Sequence, residues 1–175
     1  MLSPRKIPVG ISQCLLGAPV RYNGGHKLSR VCTEALSKYF DYLPFCPEVA
    51  IGMGVPRPPI HLVASDGGPR AQGVGDPHLD VTRQLREYAE RVAPQVARLG
   101  GFIFMQKSPS CGLHSTPRYR PGDPQAQAHG AGLFAERLRE LFPALPVEEA
   151  WQLEERPRRE EFLARVRAYR AQKWE

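Results

Sequence analysis

Residues 45–59 combine a soft metal ligand with a candidate proton carrier. Cys46 and Glu48 stand two positions apart, where a short apolar run gives way to prolines and glycines. Pro47 between them fixes φ and removes a backbone donor, so we expect this segment to leave a strand as a stiff, non-helical loop. Taken alone, Cys-Pro-Glu is more typical of a buried thiol beside a solvated loop acid, so its interpretation depends on the other cysteines.

Three of the four cysteines each follow a different segment that has the pattern of a strand: Cys14, Cys46 and Cys111. In a parallel sheet the carboxyl ends of the strands meet at one edge, and ligands bind there at a switch in strand order. We therefore expect these three thiols to emerge together. Cys32 stands beside Val31 inside a predicted helix, so we interpret it as a packing residue.

No two of these three thiols are close in sequence, and this limits the metal sites and reactions that they can form. The chain has no Cys-x-x-Cys, which disfavours a thioredoxin-like redox pair, and a structural zinc site takes paired ligands and a fourth one. A cubane iron–sulfur cluster normally takes four thiolates; with three, one iron keeps an open position and can act on a substrate as a Lewis acid. An alternative is a Cys111 nucleophile with His114 or His129 as base, although histidines in a polar loop are more often solvated.

The composition is typical of one globular domain with reduced thiols. The chain has 175 residues, 42% of them hydrophobic, so we expect a single domain over residues 1–175. There is no apolar run of membrane-spanning length, and the basic N-terminus does not have the pattern of a signal peptide, so we expect a cytoplasmic protein. The net charge of +6 permits an anionic partner, but most arginines are spread along predicted exposed helix faces.

Strand and helix patterns alternate along the chain. Strands are predicted at residues 6–12, 41–45, 102–105 and 145–148. Helices are predicted at residues 29–40, 80–99, 133–141 and 158–173, the second of them capped by Asp80 and containing Pro94. Residues 61–74 have the pattern of a hairpin, and residues 113–130 that of a loose loop. This order predicts an α/β fold: a single Rossmann-like domain with a mostly parallel sheet, helices on both faces and a small β-hairpin insertion.

Three ordered motifs closely resemble the thiouracil desulfurase (desulfidase) family. They are Val-Gly-Ile-Ser-Gln-Cys with Arg-Tyr-Asn-Gly-Gly-His-Lys in residues 9–27, Cys-Pro-Glu through Pro-Arg in residues 46–57, and Lys-Ser-Pro-Ser-Cys-Gly at residues 107–112. The resemblance runs over nearly the whole chain. It implies an oxygen-sensitive [4Fe-4S] cluster held by Cys14, Cys46 and Cys111, whose fourth iron takes sulfur from a thiolated nucleobase. It also implies non-redox conversion of a 2-thiouracil-like compound to uracil and sulfide.

The resemblance further implies that Glu48 activates water or shuttles its proton, and that Ser108 positions or protonates the substrate. Chemistry alone supports a carboxylate beside a cluster ligand as a proton acceptor, and Lys107 as a group that steadies negative charge. The hydroxyls of Ser108 and Ser110 can equally cap a turn. We expect six residues to bind substrate, each with a purely structural role as the alternative: Arg21, Tyr22, His26, Lys27, Arg57 and Ser110.

Two other functions are compatible with a three-cysteine cluster. An electron-transfer or sensor protein would favour four thiolates and would leave Glu48, Lys107 and Ser108 without a purpose. Desulfuration of thiolated tRNA agrees with the positive charge, although no additional RNA-binding module is recognisable. We expect a small thiolated nucleobase as partner, no membrane association, a monomer or weak homo-oligomer, and a cluster that aerobic preparation can remove.

Overall fold

Two four-stranded sheets organise residues 4–174, the part of the chain that this computed structural model describes. The strands are β1 (Ile7–Ser12), β2 (Phe40–Phe45), β3 (Ile60–Val63), β4 (Arg70–Gly73), β5 (Gly101–Phe104), β6 (Thr116–Tyr119), β7 (Ala126–Gly130) and β8 (Val147–Glu149). The α-helices are α1 (Pro47–Ala50), α2 (Thr82–Val96), α3 (Leu133–Leu141) and α4 (Arg156–Trp174). Short 3-10 helices cover Gln13–Leu16 and Ala150–Glu154, and a π-helix covers Val31–Leu36.

The first sheet is parallel, with strand order β2-β1-β5-β8. The chain moves outward from β1 to β2 and later returns to the other side of β1 with β5, so strand order switches between β1 and β5. Helices cover both faces of this sheet, which confirms the predicted α/β fold class. In such sheets the switch point opens a crevice beyond the carboxyl ends of the strands.

The apolar run in β5 is a central strand because both of its faces are covered. Phe102 and Phe104 belong to a core cluster with residues of α2 and α3, including Val92 and Phe134. Ile103 belongs to the cluster on the opposite face, which includes Phe162 of α4. All three β5 side chains are fully buried, as expected for a strand in the middle of a parallel sheet.

The predicted hairpin is present as β3 and β4, but the prediction of a structureless loop at residues 113–130 was wrong. This segment forms the antiparallel pair β6 and β7, and β6 joins β3 in parallel to make the second sheet, β4-β3-β6-β7. The sequence gives little signal for it because β6 contains a proline and β7 is mostly exposed and lacks large apolar residues. Pairing with β3 supplies the order that the local sequence does not.

Two helix predictions also need correction. The helix expected at residues 29–40 is a six-residue π-helix, Val31–Leu36, followed by turns. The segment after Cys46, expected to be non-helical, forms the single-turn helix α1, because Pro47 occupies its first position, where a missing N–H costs nothing. No helix within residues 4–174 is long and apolar enough to cross a membrane.

Asp80 fixes the start of α2 against the second sheet. Its Oδ1 accepts a hydrogen bond of 3.0 Å from the Thr82 N–H, and its Oδ2 accepts one of 2.6 Å from Arg70 Nε. Burial alone would raise the pKa of Asp80, but hydrogen bonds from Arg70 and Thr82 outweigh it and hold this pKa well below its usual value. The N-cap position is Val81, one residue after the predicted cap. Asp80 nevertheless accepts the hydrogen bond of the first helical N–H, that of Thr82, while it also pairs with β4.

We expect Asp80→Ala to lower the free energy of unfolding by about 1 kcal/mol at pH 7, as loss of a helix cap usually does. A carboxyl with a depressed pKa contributes stability that is present above its unfolded pKa and lost as the pH falls through its folded pKa. The difference between wild type and Asp80→Ala should therefore shrink as the pH falls below about 4. Urea unfolding at pH 7, 5 and 3 measures it. Asp80→Asn, which keeps an acceptor for Thr82, should cost less, and a gap that does not change with pH would contradict the role of the charge.

Candidate active site

Cys14, Cys46 and Cys111 line one cavity of about 480 Å³ beyond the carboxyl ends of β1, β2 and β5. Each thiol follows one of these strands, so the convergence expected from the sequence is present in the fold. Cys32 lies within the π-helix, is fully buried in the core and does not line the cavity.

A larger groove, of about 790 Å³, lies between β2 and the end of α2 and contains none of this chemistry. Its lining combines proline and apolar side chains with Asp41, Gln95 and Arg98. It has no thiol, histidine or glutamate, so size alone is a poor guide to the site here. The smaller cavity with the three thiols is the candidate active site.

Local backbone structure places each thiol differently. Cys14 lies in the 3-10 helix after β1, and its carbonyl accepts hydrogen bonds from the N–H groups of Gly17 and Lys27, which fold the glycine-rich loop back over it. The φ of Gly17 is +89°, a value that favours glycine. Cys46 immediately precedes α1, and its thiol donates a long hydrogen bond, of 3.9 Å, to the Val20 carbonyl. Cys111 follows β5 in a turn and is buried.

The environment of these thiols favours their protonated forms. Burial, followed by the nearby Cys46 thiol, raises the pKa of Cys14 to about 11. Burial also raises the pKa of Cys46 and that of Cys111, the latter despite a hydrogen bond from Ser12. A bound metal group that requires thiolates would therefore release protons from all three side chains.

The donor set fits an iron–sulfur cluster better than a single ion. No three His, Cys, Asp or Glu side chains within residues 4–174 are grouped so that they could hold one metal ion. The three thiols instead face a common cavity from three separate elements. In a cubane cluster each thiolate binds its own iron, so ligands spread around a cavity suit it.

Both carboxylate oxygens of Glu48 have a fixed partner. Arg57 Nε donates to Oε1 at 3.1 Å, and Ser110 Oγ donates to Oε2 at 2.8 Å. Arg57 Nη1 also donates to the carbonyls of Val20 at 2.8 Å and Gly54 at 3.0 Å. The side chains of Arg57 and Glu48 are only 3% and 13% exposed. The sequence predicted that Arg57 and Ser110 bind substrate. In the structure the Arg57 guanidinium donates to Glu48 and to two main-chain carbonyls, and the Ser110 hydroxyl donates to Glu48.

Ser108 and Lys107 lie on the turn that carries Cys111. Ser108 Oγ accepts hydrogen bonds from the N–H groups of Ser110 at 3.2 Å and Cys111 at 3.0 Å, so it caps the turn while its own proton stays free to donate. Lys107 has a φ of +60°, which is unusual for a residue other than glycine. Both side chains line the cavity.

The expected substrate-binding residues of the first loop divide into two groups. Arg21, Tyr22 and Lys27 line the cavity, and the Arg21 guanidinium lies 5.6 Å from the centre of the Tyr22 ring. His26 does not line it, and its Nδ1 accepts a hydrogen bond from the Leu28 N–H. Ser110, fully buried, does not line it either.

Sequence reasoning did not identify Ser12 and Gln106, which also line the cavity. The Ser12 hydroxyl accepts a hydrogen bond from the Met105 N–H at 2.9 Å, so it joins the end of β1 to the segment after β5. Gln106 Oε1 is buried and has no hydrogen-bond partner among the residues described. The only sequence signal for either residue is its position at the end of a strand.

The fold and the site together define an α/β protein with a thiol-lined cavity at the carboxyl edge of a parallel sheet. A family model described as 2-thiouracil desulfurase matches residues 9–150, and the chain belongs to this family. In Bacillus subtilis (strain 168), the protein YbbK, described as uncharacterized, is 31% identical over 111 residues, which cover 58% of this chain and 71% of that protein. Among solved structures, the [4Fe-4S]-dependent thiouracil desulfidase TudS is similar, with a TM-score of 0.67 and 30% identity over 85% of this chain and 94% of that chain.

We expect Arg57→Ala to lower the free energy of unfolding by about 3–5 kcal/mol, because it leaves the buried Glu48 without its cation. Arg57→Lys should recover only part of this loss, since an ammonium cannot reproduce the fork of donors that reaches Glu48, Val20 and Gly54. Urea denaturation at pH 7 measures both variants. The control is Arg83→Ala, which removes an exposed pair with Glu87 and should change stability by less than about 0.5 kcal/mol. Equal effects of Arg57→Ala and Arg83→Ala would contradict the structural role of the buried pair.

Proposed function

We propose that this protein is an iron–sulfur-dependent desulfurase that converts thiolated nucleobases, such as 2-thiouracil, to the oxo form and sulfide without net redox chemistry. The observation that carries the proposal is one cavity lined by three thiols and by a carboxylate that accepts two hydrogen bonds. The family match and the similarity to TudS support it. An electron carrier or sensor would have no use for the fixed orientation of Glu48.

Cys14, Cys46 and Cys111 would hold a [4Fe-4S] cluster, and Cys32, in the core, is not available as a fourth ligand. When bound, such a cluster would supply an iron with an open position, a soft Lewis acid suited to thiocarbonyl sulfur. The proposed occupant of the cavity is a small thiolated base in a cytoplasmic protein with reduced thiols. The tRNA alternative and the oligomeric state stay predictions.

The protein's own groups supply the proton transfers. A water molecule that attacks the thiocarbonyl carbon loses two protons in turn. Glu48 accepts them one at a time, with an orientation that Arg57 and Ser110 have already set, and each proton passes on to the leaving sulfur, directly or by way of the Ser108 hydroxyl. The Ser108 hydroxyl donates its free proton to a ring nitrogen or to the leaving sulfur. Lys107 stabilises the negative charge that develops on the substrate. The balance is one water consumed and one hydrogen sulfide released for each thiocarbonyl converted.

The test of the ligand set is anaerobic reconstitution with iron and sulfide, followed by measurement of both elements and of 2-thiouracil conversion. We expect about four irons per chain and turnover in the wild type, the count that a cubane cluster requires. Cys14→Ala, Cys46→Ala and Cys111→Ala should each bind less than one iron and lose activity. Cys32→Ala is the matched control and should keep both. Loss of iron in Cys32→Ala alone would contradict the three-ligand site, and a full cluster without turnover would favour an electron carrier, a sensor or another thiolated substrate.

We expect Glu48→Gln to keep its iron but lose turnover by about 10²–10⁴-fold, the range that a general base usually contributes. Glutamine has nearly the same shape and keeps an oxygen for Arg57, but it leaves the buried Arg57 charge uncompensated, so we expect a lower free energy of unfolding in a chain that still folds. Single-turnover conversion of 2-thiouracil, with iron measured in the same sample, separates chemistry from cluster loss. Glu34→Gln, which alters a carboxylate outside the cavity, is the control. Wild-type turnover in Glu48→Gln would remove Glu48 from the mechanism.

A further inference from the structure

A second buried carboxylate lies at the same edge of the sheet, outside the cavity. Glu149 ends β8, the neighbour of β5, and is paired in register with Phe104. Its side chain is fully buried, with 0% of the residue exposed. The three motifs at residues 9–27, 46–57 and 107–112 do not include it, although the family resemblance extends over residues 145–149.

Glu149 contacts the downstream part of the loop that carries Cys111. Its Oε2 accepts hydrogen bonds from the Leu113 N–H at 3.1 Å and from Ser115 Oγ at 2.5 Å. Its Oε1 accepts one from Trp151 Nε1 at 3.2 Å. These three donors are neutral, and the carboxylate forms no ion pair with any cation that the structure describes.

The same network reaches the upstream end of the loop through Ser115. The Lys107 N–H donates to Ser115 Oγ at 2.8 Å, and Ser115 in turn donates to Glu149. Lys107 is the residue with the left-handed φ of +60°, a conformation that is unfavourable for a side chain other than glycine and persists only where neighbours hold it. One carboxylate thus fixes both ends of residues 107–115, and Ser108 and Cys111 lie between them.

The neighbouring Glu148 has different partners from Glu149. It is also buried, but it lies near the guanidinium groups of Arg158 at 3.8 Å and Arg165 at 3.5 Å, both on α4. That arrangement joins β8 to a helix. Glu148 Oε1 also accepts a hydrogen bond from the Glu149 N–H at 3.2 Å, but the Glu148 side chain has no hydrogen bond to residues 107–115. A buried charge without a cation usually stabilises a fold less than apolar side chains packed in the same place. The donors that Glu149 does have point to a role in placing the loop.

We propose that Glu149 is a positioning residue: through Ser115 and Leu113 it holds residues 107–115 in the one conformation that directs Cys111 and Ser108 into the cavity. Its catalytic consequence rests on the proposed desulfuration, but its effect on the loop does not. Loss of Glu149 frees the loop, exposes Cys111 and weakens its hold on a cluster. The core around Cys32 stays closed.

The test measures alkylation of each cysteine by iodoacetamide in the full chain, treated with a chelator under anaerobic conditions and followed by peptide mass spectrometry. We expect Glu149→Ala to raise the alkylation rate of Cys111 at least tenfold and to leave that of Cys32 unchanged. Ser115→Ala should change it in the same direction by a smaller factor, and it provides the test if Glu149→Ala does not fold. Glu149→Gln should recover part of the protection, because its amide keeps one acceptor for the loop.

Glu148→Ala is the matched control, since it removes an adjacent buried carboxylate with no contact to the loop. The proposal is overturned if Glu148→Ala exposes Cys111 as much as Glu149→Ala does, or if Cys32 and Cys111 become reactive together, which would indicate general loosening. In reconstituted protein, Glu149→Ala should also lose iron at least threefold faster than Glu148→Ala. If the wild type binds no iron, the proposed function fails while the alkylation result still decides the role of Glu149.

Discussion

The buried ion pair between Glu48 and Arg57 connects all three loops that carry the thiols. Arg57 reaches the Val20 carbonyl in the loop after Cys14, and the Gly54 carbonyl and Glu48 in the segment after Cys46. Glu48 then accepts a hydrogen bond from Ser110, next to Cys111. The parallel strands bring the loops to one edge, but strand pairing ends before the cysteines. The geometry beyond the strands depends on this pair, whose charges are compensated only when both are present.

The polar and strained groups of this site destabilise the segments that carry them. One buried thiol, two half-buried thiols, two buried carboxylates and a lysine with a positive φ lie within a few residues of the strand ends. A left-handed φ outside glycine alone costs roughly 1–2 kcal/mol. The parallel sheet can tolerate these groups because its core is closed independently, by Phe102, Phe104 and Phe134 on one face and by Ile103 and Phe162 on the other. The rigid core allows the edge to hold a strained and polar arrangement.

The features that could be predicted from the sequence are those with a local pattern. The apolar run of β5 and the helical spacing in α2 identified the sheet and its cover, and the parallel topology then required Cys14, Cys46 and Cys111 to meet. Arg57 was open to two interpretations, an anchor for substrate or for an acidic neighbour, and it pairs with Glu48. The second partner of Glu48 could not be predicted, because Ser110 lies 62 positions away and any polar residue of the loops was an equal candidate. Pro47 was misread because the same fixed φ suits a loop and the first position of a helix. Strand β6 forms through pairing with β3, and β7 through pairing with β6, and neither forms through its own composition.

Part of the positive charge of the chain lies at this site. Arg21, Lys27 and Lys107 line the cavity, and none of them forms an ion pair with a carboxylate in the described part of the chain. Arg21 lowers the pKa of Cys14 and Arg57 lowers that of Cys46, although burial dominates both shifts. Conversion of three thiols to thiolates would add negative charge to a poorly solvated space, where unpaired cations have their strongest effect. The same cations would stabilise the sulfide that leaves a thiocarbonyl. A cavity that favours neutral thiols when it stands alone therefore has the charges needed to favour an anionic group within it.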